Sequence, residues 1–265
     1  MIKSFKILTD TLLPQYLDCI QEDELLIYNK LEESDLSIDS FSFYTSVSAV
    51  FSSKIEGEDI ALDSYIKHKR FGIEFLPNYT KKIDDIYQAY QFAQHNFCTK
   101  ENIESAHKIL SKNILPSSKQ GKIRKDNMFV ITDDGRIEYV AASPIKVEDE
   151  MQKWYEDLQL LQQNHLSLHE IFYYAALLHL TFVKIHPFDD GNGRTARLIE
   201  KWFLAEKLGQ KAWYIQSEKN YYNHHNQYYT TIRKLGLEYD DLDYTQSLDF
   251  LLLLPQSLKI DKNYL

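Results

Sequence analysis

The sequence predicts an all-α protein, a helical bundle with a small β-hairpin. Three observations predict it. Most segments repeat their apolar residues every three to four positions, the period of an amphipathic helix. One fifteen-residue run, "IFYYAALLHLTFVKI" (171–185), is apolar all round and reads as the central helix of the bundle. A single segment, "MFVITDDGRIEYV" (128–140), places Asp-Gly between two short runs rich in β-branched and aromatic residues, which is a hairpin signal.

In chain order, the first clear helix is "FYTSVSAVFSSKIEG" (43–57). Phe43, Val47, Val50, Phe51 and Ile55 share one face, and Gly57 is a natural stop. A second helical pattern runs through "IDDIYQAYQFAQHNF" (83–97). After the hairpin, "VEDEMQKWYEDLQLL" (147–161) lines up Met151, Trp154, Tyr155, Leu158 and Leu161. Ser167 and Glu170 form a capping-box signature that opens the central helix. That helix must stop at His186, because the residue before a proline is pushed out of the helical region. A further helix follows the glycines at 191 and 193, with Leu198, Ile199, Trp202, Phe203 and Leu208 on its buried side and Gly209 at its end. "DFLLLLPQSL" (249–258) reads as a short helix on the core.

A chain of 265 residues suits one large domain or one domain with an added subdomain, and an apolar content of 44% can fill a core. No linker-like composition and no internal repeat interrupts it. The net charge of −9, without a long basic run, disfavours nucleic acid as a partner, so any phosphate site must be local. Cys19 and Cys98 are isolated and make neither a disulfide framework nor a Cys-rich zinc site, which fits a reducing cytoplasm. No signal peptide is evident. The most apolar window falls short of the roughly 20 residues of a membrane span, so no membrane partner is expected.

Chemistry concentrates in "HPFDDGNGRTAR" (186–197). Pro187 places the His186 imidazole at the mouth of the central helix. Gly191, Asn192 and Gly193 can turn backbone amides toward one point, and a Gly-rich turn feeding a helix N-terminus binds anions. Arg194 and Arg197 lie on one face of the first turn, where cations oppose the helix dipole at roughly 0.3–1 kcal/mol each. A polyphosphate would offset that cost and suit the arginine forks. Asp190 beside it suggests magnesium, held by one or two carboxylates plus substrate phosphates. His186 could then take the proton of an attacking hydroxyl. Singly, such a histidine, Gly-x-Gly turn or arginine pair is usually structural; together they suggest nucleotidyl or phosphoryl transfer. A zinc site built from His169, His179, His186, His224 and His225 lacks HExxH or a cysteine pair, and packing or surface roles suit those other histidines better.

The twelve-residue stretch resembles the signature of the Fic (Fido) family, HPFx(D/E)GNGRxxR, at every specified position. "GKIR" (121–124), the hairpin after it, the helix from about 147 and "NQYYTTI" (226–232) also resemble the family. The likeness covers about residues 40–235. It implies a Fic helical bundle with a β-hairpin flap: an N-terminal helical region (1–100), a catalytic core (101–237) and a C-terminal helical tail (238–265). It implies an enzyme transferring AMP from Mg-ATP, with magnesium as cofactor, to a Ser, Thr or Tyr hydroxyl of a protein target. Under this resemblance His186 is the base and Asp190 the magnesium ligand. Gly191, Asn192 and Gly193 form the anion hole, and Arg194 and Arg197 grip the distal phosphates. The flap (about 128–140) holds the target by strand pairing. Asn223, in "NYYNHHNQYY" (220–229), is a candidate amide contact for adenine.

"SSKIEG" (52–57) puts Glu56 in the last turn of its helix, where a carboxylate opposes the dipole. Ser52, Glu56 and Gly57 match the family's inhibitory pattern (S/T)xxxE(G/N). The resemblance implies that Glu56 pairs with Arg197, occupies the fork meant for the γ-phosphate and restrains the enzyme. Three further readings stay open: removal of AMP from a modified protein, transfer of another nucleotide, and a nucleotide-sensing module with little turnover. A homo-oligomer, through which the restraint could be relieved, also stays open.

Overall fold

The structure is a computed structural model describing residues 5–20, 26–38, 42–73, 80–131, 135 and 137–259. It contains helices α1 (Leu13–Cys19), α2 (Phe43–Ile55), α3 (Leu62–Phe71), α4 (Lys81–Gln94) and α5 (Lys100–Leu110). Strands β1 (Phe129–Ile131) and β2 (Ile137–Val140) follow, then α6 (Pro144–Gln163), α7 (Leu168–Ile185) and α8 (Asn192–Leu208). The chain continues through α9 (Ser217–Asn223), α10 (His225–Arg233), α11 (Leu248–Leu251) and α12 (Leu253–Gln256). The all-α prediction with one hairpin holds.

The all-apolar run becomes α7, in which 14 of 18 residues are buried, and it packs most extensively on α8. Its capping box forms as predicted: Ser167 Oγ accepts from Glu170 N, and Glu170 Oε2 accepts from Ser167 N at 2.7 Å. α6 begins at Pro144, earlier than its apolar stripe, because proline suits the first helical turn. The expected C-terminal helix is two short ones, α11 and α12, whose Phe250, Leu251, Leu253 and Leu254 are buried. One apolar core runs from Leu8 to Leu258. The N-terminal segment is tied to α6 by buried Asp157, whose carboxylate accepts the backbone amides of Lys6, Ile7 and Leu8.

β1 and β2 are antiparallel, with an irregularity between Val130 and Ile131. Ile131 pairs with Ile137, so the connection is longer than a two-residue turn. Gly135 has φ 81°, and the rest of that connection, 132–134 and 136, lies outside the described residues. The inner face presents Val130 and Tyr139 to a cavity, while Phe129, Ile131 and Ile137 face outward and are exposed. β2 is anchored to the bundle: Val140 N donates to Leu237 O at 2.8 Å, and Tyr139 Oη donates to Lys184 O at 2.7 Å.

Candidate active site

α7 ends at His186, as Pro187 requires. The sterics before a proline favour extended backbone, yet His186 adopts the left-handed conformation, φ 55° and ψ 59°. It is the only non-glycine residue with positive φ among the described residues. Such a backbone costs on the order of 1–3 kcal/mol and persists only when its surroundings hold it. Buried Arg124 supplies much of that hold. Its Nε donates to His186 O at 2.7 Å, its backbone N donates to Pro187 O at 2.9 Å, and its outer nitrogens reach the carbonyls of Asp126 and Ala142. The helix terminus therefore turns sharply and presents the imidazole to the cavity.

The half-buried His186 ring points Nδ1 at Val183 O, 3.2 Å away. A carbonyl only accepts, so Nδ1 carries the hydrogen and Nε2 keeps its lone pair. Desolvation, aided by Arg124, pushes the ring down to about 4, against the Val183 carbonyl, Glu56 and Asp190. The ring is therefore neutral at pH 7.

Gly191 has φ 79° and opens α8. A Cβ there would be strained by that angle and would lie 3.1 Å from Leu110 Cδ1, so glycine is needed. Asn192 is buried; its Oδ1 accepts from Phe188 N at 2.9 Å and its Nδ2 donates to Phe188 O at 2.8 Å, bracing the loop. The Gly191 amide is engaged by Asp190 Oδ1 at 2.6 Å. The amides of Asn192, Gly193 and Arg194 have no acceptor among the described residues, as at any helix start.

Both arginines lie at this end of α8. Arg194 is buried, and its Nε has no hydrogen-bond partner among the described residues. Arg197 is fully buried and uses four of its five N–H groups: Nε donates to Ser52 Oγ at 3.0 Å, one outer nitrogen to Ser52 O at 3.0 Å and to Glu56 Oε1 at 2.7 Å, and the other to Tyr228 Oη at 3.4 Å. The predicted contact of Glu56 with Arg197 is present, and Ser52, which the sequence placed only on the same helix face, meets Arg197 as well. Glu56 forms the C-cap of α2, and Gly57 follows with φ 88°. Glu56 Oε1 also stands 2.8 Å from where a Gly193 Cβ would be, so a carboxylate already rests on the α8 N-terminus. Burial pushes that carboxyl up, but Arg197 and Arg194 outweigh it, and it ends below its ordinary value.

Asp190 is exposed, and Oδ2 has no hydrogen-bond partner among the described residues; neighbouring Asp189 is paired with Lys119 at 2.8 Å. The described residues contain no cluster of three His, Cys, Asp or Glu able to hold a metal. One outward carboxylate beside an anion site fits a magnesium ion that arrives largely coordinated by phosphate, and does not fit a zinc cage.

Glu56, His186, Gly193 and Arg197 line a cavity of about 150 Å³ together with Val130, Tyr139 and Lys184, whereas Asp190, Gly191, Asn192 and Arg194 are not among its lining residues. Burial lowers the Lys184 amine to about 8, and its Nζ lies 4.0 Å from the centre of the Tyr139 ring. Asn223 is exposed at the end of α9 and does not line the cavity; Tyr228 and Tyr229 do. A larger cleft of about 700 Å³ between Phe97, His165 and Leu208 shares no residue with the site.

The sequence reading gave no role to three side chains that hold the site together. Arg124 lies in the noted "GKIR", but its hold on a turn 62 residues away has no local signal. His107, on α5, bridges Gly121 and Asp190. His179, for which the sequence suggests only a packing or surface role, has its Nε2 2.9 Å from Tyr228 Oη and its Nδ1 2.7 Å from Glu200, linking Arg197 to a buried carboxylate.

Residues 97–204 match the Fic/DOC family. Among curated proteins, a uridine 5'-monophosphate transferase of Xanthomonas campestris pv. campestris (strain 8004) is 39% identical over 89 residues, 32% of this chain and 16% of that protein. A protein adenylyltransferase Fic of Nematostella vectensis is 36% identical over 109 residues, 40% of this chain and 23% of that protein. The chain thus spans less than a quarter of the length of these relatives. Among solved structures, a Fic family protein from Desulfovibrio desulfuricans G20 superposes with TM-score 0.74 at 16% identity, covering 97% of this chain and 75% of that one. Fic-1 (aa134–508) from C. elegans gives 0.63 at 16% identity, covering 92% and 69%. Residues 97–204, the stretch that holds His186, the glycine turn and both arginines, are thus a Fic/DOC domain.

Proposed function

We propose that this protein is a self-restrained protein adenylyltransferase that moves AMP from Mg-ATP to a Ser, Thr or Tyr hydroxyl of a protein target, itself included. One observation carries the reading: a carboxylate, Glu56, sits on Arg197 and over Gly193 at a helix N-terminus, beside an Arg194 whose Nε has no partner among the described residues. A site where a guanidinium N–H holds a carboxylate beside unengaged amides at a helix N-terminus suits a phosphate. The names of the Fic relatives support nucleotide transfer as the chemistry.

In the proposed reaction the target hydroxyl oxygen attacks the α-phosphorus. A P–O bond to the target forms, the bond to the β-phosphate bridge breaks, and pyrophosphate leaves. His186 Nε2 takes the hydroxyl proton. Arg194, Arg197 and the amides of 192–194 hold the distal phosphates. Asp190 would hold the magnesium ion, which would neutralise charge on the phosphates. Glu56 opposes this by occupying the Arg197 fork and repelling the triphosphate. The cavity also falls below the roughly 300–1,000 Å³ of ordinary ligand pockets while Glu56 is in place.

Glu56→Gly is expected to raise self-labelling from α-labelled ATP by about tenfold or more, the rate equivalent of about 1.4 kcal/mol. His186→Ala added to it should abolish labelling. Equal labelling of wild type and Glu56→Gly refutes the restraint, and labelling that survives His186→Ala refutes the base. A second reading, transfer of UMP, is favoured by the name of the Xanthomonas relative. Parallel labelling with α-labelled ATP and UTP decides between them.

A further inference from the structure

His107 is fully buried on α5, and its ring is used on every side. Gly121 N donates to Nδ1 at 2.9 Å, and Nε2 lies 2.9 Å from the backbone oxygen of Asp190. An amide N–H only donates and a carbonyl only accepts, so the ring is the neutral form with its hydrogen on Nε2. One face stacks on Phe188, centroids 3.6 Å apart and planes 14° from parallel. Nε2 lies 3.3 Å from where a Gly191 Cβ would be. A single imidazole thus touches three of the four residues from Phe188 to Gly191 and ties them to the segment that carries Arg124.

The held atom is the carbonyl of Asp190. Its backbone sets where its own carboxylate points and where the next residues, the start of α8, present their amides. We propose that His107 is a positioning residue for metal-linked nucleotide binding: its Nε2–H holds the Asp190 carbonyl so that the carboxylate and the α8 amides meet one metal-bound triphosphate together. This rests on the nucleotidyltransferase reading above. A ring that merely filled space would need its volume and its stack on Phe188, and not the donor on Nε2.

Two amide variants separate these roles, both made in the Glu56→Gly protein. His107→Gln places an N–H donor near the Nε2 position, within reach of Asp190 O. His107→Asn places its amide near the Nδ1 position, where it can serve Gly121 but falls short of Asp190. ATP affinity is measured by calorimetry with and without magnesium, giving the factor by which the metal tightens ATP. Thermal melting checks folding. His107→Gln is expected to keep that factor within about threefold of the parent. His107→Asn should lose about tenfold of it, about 1.4 kcal/mol, while melting close to His107→Gln. Equal factors in the two variants, kept or lost, overturn the proposal. If the parent transfers label and the factors are equal, only the role of His107 fails. If the parent binds ATP in a metal-linked way and transfers nothing, the enzymatic reading fails, and the comparison still decides for or against His107. A parent without metal-linked ATP binding overturns both.

Discussion

The base candidate depends on where one proton sits. His186 donates through Nδ1 to Val183 O, which frees Nε2, and its surroundings hold the ring at about 4. Arg124 lowers that value, while Glu56 and Asp190 raise it. Removing Glu56 therefore moves it further down. In the Glu56→Gly variant the single-turnover rate of labelling should stay level from pH 8 to about pH 5, then fall as the ring protonates near or below pH 4. A rate that halves near pH 6.5, the value of a free imidazole, would show that the ring is not held this way. The loop was legible in the sequence because its demands are local: a proline to end the helix, a glycine at positive φ and two arginines one turn along. His107 was not legible, because its partner carbonyl lies 83 residues away and a histidine in an ordinary helix carries no mark of it.

Helix α2 carries Glu56, and buried polar contacts fix it to the bundle. Ser48 Oγ on α2 accepts from Lys201 Nζ on α8 at 2.6 Å, and Lys201 also meets Glu218 on α9 at 2.6 Å. Tyr90 on α4 donates to the other oxygen of Glu218. Both charged side chains are fully buried, so removing one leaves the other without its partner. Lys201→Met should cost about 3–5 kcal/mol in urea unfolding, and adding Glu218→Gln should restore at least about 1 kcal/mol of it. A single-variant cost below about 1 kcal/mol would show that water reaches the pair. Helical periodicity revealed α2, α4, α6, α7 and α8, since each buries a face. It did not reveal this junction: four residues on four helices meet only after packing, and Ser48 and Lys201 look like surface residues in a sequence. The hairpin strands were legible from β-branched pairs, whereas their anchoring by Tyr139 Oη to the α7 terminus depends on tertiary contact.

At the scale of the molecule, the proposed restraining element, α2, and the helices that carry the candidate site share one core. Val47, Ala49, Val50 and Ile55 of α2 are buried, and most of these join the core that runs from Leu8 to Leu258. Ser52 holds Arg197 through both its hydroxyl and its carbonyl, so α2 orients the arginine that Glu56 occupies. If Glu56 restrains the site as proposed, relief would be a movement of its side chain at the helix end and not release of the helix. Its carboxylate is 27% exposed but Arg197 is fully buried, so breaking the contact should cost about 1–2 kcal/mol, limited by the two Ser52 acceptors that Arg197 keeps. Deleting residues 1–57 removes the same carboxylate but strips apolar surface from the core and leaves Arg197 and Lys201 without their α2 partners. Glu56→Gly should therefore melt within a few degrees of wild type and label strongly, while the truncated chain should aggregate or melt without a cooperative transition and label weakly. Size-exclusion chromatography, thermal melting and α-labelled ATP applied to both proteins make the comparison. A truncated chain that is monomeric, melts cooperatively and labels as strongly as Glu56→Gly would show that α2 is a detachable plug and not part of the site's frame.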